Sequence, residues 1–213
     1  MDRRLLGWTA VIAAVLVALG LLGLDRPIAE WVRASGVENA RVFAWGLAAL
    51  DTLSGISLWF WLAGCVALAI GVIGLAIARD ARWPRAFLAA GVIQIATLHT
   101  MIFGKDSFGR LRPHQVLESG DWSHVWHAGG GSFPSGHSAF YFGLLLPLAA
   151  ACPVRWLRAL LLAIPVFVAI ARLDLERHFL SDVAASAVIA AVYTLVAAWV
   201  LRRWWPGAAP RPA

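Results

Sequence analysis

The sequence predicts an all-α, polytopic membrane helix bundle, and three observations carry that prediction. Of 213 residues, 61% are hydrophobic and only 14% charged, against roughly 45–50% and 25% in a soluble domain. A soluble core of this size cannot hide that surplus, so lipid must solvate part of it. The apolar residues also gather in six runs of transmembrane length, near 6–24, 56–78, 85–104, 136–153, 156–173 and 180–201. Finally, basic residues punctuate the ends of those runs on one side: Arg3 and Arg4, then Arg79, Arg82 and Arg85, then Arg155 and Arg158, then Arg202 and Arg203.

Taken in order, the first run follows Asp2-Arg3-Arg4 and has no Ala-x-Ala site before Asp25, so it reads as an uncleaved signal anchor. The stretch from Ser35 to Asp51 is different. Ser35-Gly36-Val37-Glu38 has the pattern of a capping box, which predicts a short amphipathic helix lying at the interface. Five further spans follow. Residues 1–205 read as one membrane-embedded domain and 206–213 as a disordered tail rich in Pro and Ala.

The positive-inside rule places the arginine-rich ends in the cytoplasm. Residues 105–113, 134–137 and 172–182 then all face outward. The formal charge of +6 sits at topology positions without a basic tract, which argues against nucleic acid as a partner. Cys65 and Cys152 fall within apolar runs, lack zinc spacing and read as buried hydrophobes.

The three outward segments hold the candidate chemistry. Lys105 is the only lysine among 18 basic residues, and with Arg112 it offers a point charge and a planar fork for phosphoryl oxygens. Pro134-Ser135-Gly136-His137 opens an apolar run. The free N–H groups of a helix start there, those of Ser135 and Gly136, suit an anion. His178 and Asp182 are four apart, so on a helix they share a face. A carboxylate on one ring nitrogen leaves the other free to attack. Arg172 supplies a further guanidinium.

These residues resemble the three-part signature of the type 2 phosphatidic acid phosphatase and haloperoxidase superfamily, over roughly residues 50–201. Lys105 with Arg112-Pro113 matches the first motif, Pro134 to His137 the second, and Arg172, His178 and Asp182 the third. Ala171 stands where the family usually has serine. The resemblance implies a membrane lipid phosphatase that works without a metal or other cofactor. His178 would be the nucleophile, oriented by Asp182, and His137 the general acid and base. Lys105, Arg112, Arg172 and the Ser135 and Gly136 amides would bind phosphate. The implied partners are the bilayer and a phosphorylated lipid: phosphatidic acid, phosphatidylglycerophosphate, undecaprenyl pyrophosphate or a lipid A phosphate. A lipid phosphotransferase, a vanadium haloperoxidase and a non-enzymatic anionic-lipid carrier are the rival readings. The arginine-rich composition suggests a bacterial inner membrane with the site on its outer face.

Several other residues carry smaller expectations. Trp122 and Trp126 read as anchors of the outer loop at headgroup depth. His114, His124 and His127 fit no standard zinc pattern and read as headgroup or interface contacts. His99 reads as a satisfied histidine inside a helix.

Overall fold

The computed structural model describes residues 1–204; Trp205 and the predicted tail 206–213 lie outside the described residues. Among the described residues every regular element is helical. They are α1 (Arg3–Leu19), a π-helical turn (Gly20–Leu24), α2 (Asp25–Ser35), α3 (Arg41–Ser54), α4 (Leu62–Ile77), α5 (Trp83–Phe108), α6 (Pro113–Ser119), α7 (Gly136–Ala151), α8 (Arg155–Asp174) and α9 (Leu180–Trp204). Each of the six apolar runs contains a helix, although in the second residues 56–61 precede it and α4 begins at Leu62. Four helical stretches are long and apolar enough to cross a membrane: 3–35, 83–119, 155–174 and 180–203. The helices α4 and α7 are shorter, at 16 residues, or about 24 Å.

The side chains are distributed as lipid demands. Bulky apolar groups point outward, with Leu22, Leu53 and Leu58 each 84% exposed and Ile77 75%. Small or polar groups fill the interior, among them Ala90, Gln94, Thr97, Ala190, Ala191 and Thr194. Helices that meet inside lipid gain little from hydrophobicity and rely on close backbone approach. At Gly91 a Cβ would lie 2.7 Å from the Gly64 carbonyl oxygen, so glycine is what lets α5 lie against α4. The helices α5, α7 and α9 pack on one another; α1 covers α9, α8 covers α7, and α3 lies on α8. The chain is an integral membrane protein by these criteria.

Two local expectations fail. Ser35 and Glu38 form no capping box. Ser35 is the last residue of α2, its hydroxyl donates to the Val32 carbonyl (3.0 Å), and Gly36 follows in the left-handed conformation. The same Ser-Gly pair that resembles a helix start serves as a helix stop. The next helix begins at Arg41, after the Ala40 N–H is caught by Asp174 Oδ2 at 2.9 Å. The first run also continues past Asp25, because the π-helical turn redirects the chain instead of ending it. The amphipathic segment is therefore α2, joined to the membrane helix before it.

The bundle alternates in direction, so α5 and α8 end where α7 and α9 begin. The three outward segments meet at that end. Replacing Gly91 with leucine should force α4 and α5 apart and cost about 1–3 kcal/mol; a lower melting temperature in detergent, with Gly7→Leu unaffected as control, is the expected reading.

Candidate active site

Lys105 lies in the last turn of α5, which Gly109 ends in the left-handed conformation. Its ammonium donates to the Gly131 carbonyl, pinning the loop that leads to α7. That loop is tied back by the Ser132 N–H to the Arg110 carbonyl (2.9 Å) and the Gly130 N–H to the Gly109 carbonyl (2.9 Å). It delivers Ser135 as the cap of α7: the Ser135 Oγ accepts from the Ser138 N–H at 3.5 Å. Pro113 occupies the first position of α6, where its missing N–H costs nothing, and the Arg112 N–H donates to Gln115 Oε1 at 2.8 Å.

Arg110, which the sequence reading passed over, is the centre of the buried architecture. Its guanidinium donates to Asp182 Oδ1 (2.5 Å), Asp25 Oδ2 (2.7 Å) and the Ser181 hydroxyl (2.6 Å). It is sandwiched between the rings of Trp126 (4.3 Å) and Phe179 (4.2 Å). Asp25 also accepts from the Ser181 N–H (2.9 Å) and hydroxyl (2.5 Å). A Cβ at Gly20 would sit 2.7 Å from Asp25 Oδ1, so glycine makes room for that carboxylate. Trp126 covers Arg110, and Trp122 packs on Phe179 (6.2 Å) and Arg26 (5.1 Å).

His178 does not share a helix face with Asp182, because α9 starts two residues after it. Its Nδ1 is 2.8 Å from the Ser132 carbonyl oxygen, whereas Asp182 Oδ2 stands off at 3.6 Å. A carbonyl only accepts, so Nδ1 carries the proton and Nε2 keeps its lone pair. The carboxylate that was expected to orient the ring directly instead accepts from the Phe179 N–H (2.8 Å), the Ser132 hydroxyl (2.5 Å) and Arg110. It holds the residue that holds the ring. Burial pushes the His178 imidazole down from the ordinary 6.5 to about 4, and the Asp182 charge only partly opposes this.

The Ser135 N–H is also unavailable to an anion, since it donates to the Asp182 carbonyl at 3.1 Å. That bond joins the starts of α7 and α9. Gly136 and His137 follow in the first turn of α7, where N–H groups lack intrahelical partners.

The charges of Lys105 and Arg172 both act on His178, and Arg112, Arg172 and Asp182 act on Lys105. These five residues form one electrostatic cluster. The Nε of Arg172 is buried with no hydrogen-bond partner. His137 faces Asp51, with Nε2 3.1 Å from Oδ2, and Asp51 in turn acts on Arg172. Asp25 and Asp51 were also missed by the sequence reading; the available signal was an acidic residue at the end of an apolar stretch, where charge is costly.

The outer-loop histidines do other things. His114 Nδ1 lies 3.0 Å from the Glu176 carbonyl oxygen, and His124 Nδ1 lies 3.5 Å from Asp121 on the surface. His99 bonds the Ile95 carbonyl (3.0 Å) and packs on the Trp61 ring (4.6 Å) on an exposed helix face.

One end of the helical membrane bundle thus gathers Lys105, Arg112 and Arg172 around a neutral His178. The PAP2 superfamily model matches residues 85–206, more than half of the sequence. The chain belongs to that superfamily. It is also 28% identical over 218 residues to the lipid A 1-phosphatase of Rhizobium etli, covering 93% of this chain and 87% of that protein. No solved structure gives a significant match.

Two outcomes follow from this geometry. Arg110→Met leaves two buried carboxylates without their cation and should cost about 3–5 kcal/mol, read as a loss of thermal stability in detergent. Because His178 is lowered in the folded state, the unfolded chain binds more protons between about pH 4 and 6.5. The His178 contribution to stability is therefore complete above that window and lost as pH falls through it. Melting temperatures of the wild type should drop on acidification across this range, and His178→Gln should flatten part of the drop.

Proposed function

We propose that this protein is a lipid phosphatase that removes a phosphoryl group from a membrane lipid through a phosphohistidine on His178. The observation that carries the reading is the half-buried guanidinium of Arg172, its Nε buried without a hydrogen-bond partner, beside Arg112 and a neutral imidazole. A buried donor without a partner is expensive, and a phosphoryl group with three equatorial oxygens is the partner this arrangement fits.

The steps follow from the protonation states. His178 Nε2 attacks phosphorus, and the bond to the lipid oxygen breaks in line. Lys105, Arg112, Arg172 and the Gly136 amide hold the equatorial oxygens and their charge. His137 gives a proton to the departing oxygen, then takes one from the water that releases phosphate from His178. Ser135 and Asp182 act differently from their first reading: Ser135 fixes α7 to α9, and Asp182 fixes Ser132.

Two things support a lipid over a soluble phosphate. The flanking helices are those of a membrane protein, and the Rhizobium etli relative is a lipid A 1-phosphatase. The positive-inside bias supports a site on the outer face of a bacterial inner membrane.

The decisive assay is phosphate release by purified protein from lipid A 1-phosphate, phosphatidic acid, phosphatidylglycerophosphate and undecaprenyl pyrophosphate. Turnover that persists in chelator is expected, falling about 1,000-fold or more in His178→Ala. Lipid-to-lipid phosphoryl transfer without free phosphate would point to the phosphotransferase. Full activity in His178→Ala, or no activity on any of the four, ends the proposal.

A further inference from the structure

We propose that Asp51 is the positioning residue of the general acid, holding Nε2–H of His137 so that Nδ1 is the atom that trades protons with substrate and water. The proposal rests on the phosphatase reading above and adds a residue outside the 85–206 stretch that the family model matches.

Asp51 sits in the last turn of α3, far in sequence from every motif. Its Oδ2 is 3.1 Å from His137 Nε2, and its Oδ1 accepts from the Tyr141 hydroxyl at 3.1 Å. The Tyr141 hydroxyl also lies 3.1 Å from Ser54 Oγ. Tyr141 is one helical turn beyond His137, so α7 supplies both the acid and a clamp on the carboxylate that holds it. An ionised carboxylate only accepts, which assigns the Nε2 proton to His137. The Asp51 and His137 side chains are 17% and 27% exposed, shielded enough for the pair to persist and open enough for water to arrive.

The bond is not needed to dock α3. Leu47 is buried in the apolar cluster with Phe140, Tyr141 and Val168, and Leu50 packs against it. That packing fixes the helix without a carboxylate. What the carboxylate adds is a fixed ring orientation and a partner for the charge that His137 carries before it protonates the leaving group.

The proton balance closes. In the first step the N–P bond to His178 forms, the P–O bond to the lipid breaks, and the Nδ1 proton of His137 goes to the lipid oxygen. In the second, water oxygen bonds phosphorus, the P–N bond breaks, and the water proton returns to Nδ1. The Nε2 proton stays on His137, donated to Asp51 Oδ2, throughout.

The test compares Asp51→Asn and Tyr141→Phe with wild type on two substrates, phosphatidic acid and 4-nitrophenyl phosphate. An alkoxide needs a proton to leave, whereas nitrophenolate does not. With phosphatidic acid, kcat of Asp51→Asn should fall about 10- to 100-fold with KM within about twofold. With 4-nitrophenyl phosphate the loss should shrink to about threefold or less. Tyr141→Phe keeps the His137 bond and should retain kcat within about threefold on both. Equal losses on both substrates, unchanged kcat in Asp51→Asn, or a Tyr141→Phe defect as large as that of Asp51→Asn would each show a structural strut and overturn the proposal. If Asp51→Asn does not fold, Asp51→Ser takes its place with the same two-substrate comparison. If wild type does not turn over phosphatidic acid, whichever of the four lipids it does hydrolyse takes its place; wild type inert toward all four and toward 4-nitrophenyl phosphate would overturn the phosphatase reading itself, a different failure from any of these.

Discussion

The structure depends on one buried cation. Arg110 joins Asp25, at the junction of α1 and α2, to Asp182 at the start of α9. It also spans the loop between α5 and α6, so three parts of the chain distant in sequence are fixed by a single guanidinium. Two carboxylates and an arginine buried together are costly to desolvate, and such a group persists only when every donor and acceptor is used. Here most are: two carboxylates, a serine hydroxyl and two aromatic faces surround it, with only Nε left over. Well-packed apolar residues in such a place are often as stable, but they do not position polar atoms.

The chemistry is built on that positioning. Asp182 is clamped by Arg110, Ser132 and the Phe179 amide, which leaves the Ser132 carbonyl aimed at His178 Nδ1. The His178 tautomer is thus set by a backbone oxygen, with the carboxylate one step behind. This arrangement has an electrostatic consequence. A carboxylate in direct contact would favour imidazolium, whereas a carbonyl favours the neutral ring. The cations around the pocket act in the same direction.

Much of this was legible in the sequence, for identifiable reasons. Apolar run length located the four helical stretches long enough to span and the two shorter helices α4 and α7, because nothing but a helix satisfies its backbone in lipid. Lys105, Arg112, Arg172, His137, His178 and Asp182 were visible because each has an unusual residue type at a helix boundary on the same side. What stayed hidden depends on distance in space. Asp51 and Asp25 belong to no local pattern, and Arg110 differs from Arg112 only in which way the chain turns after Gly109. The Ser35-Gly36 pair was misread because a hydroxyl beside a glycine serves either end of a helix, and only the neighbouring Asp174 decides where the next one starts. Ser135 was misread because a helix-start amide looks free until another helix's carbonyl is found against it.

The brevity of α4 has a consequence for the surrounding bilayer. A hydrocarbon core about 30 Å thick exceeds its 16 residues by about 6 Å, and Val72, Ile73 and Ile77 turn that face outward. Acyl chains meeting it must compress or the helix pair must lean, at a small cost per ångström.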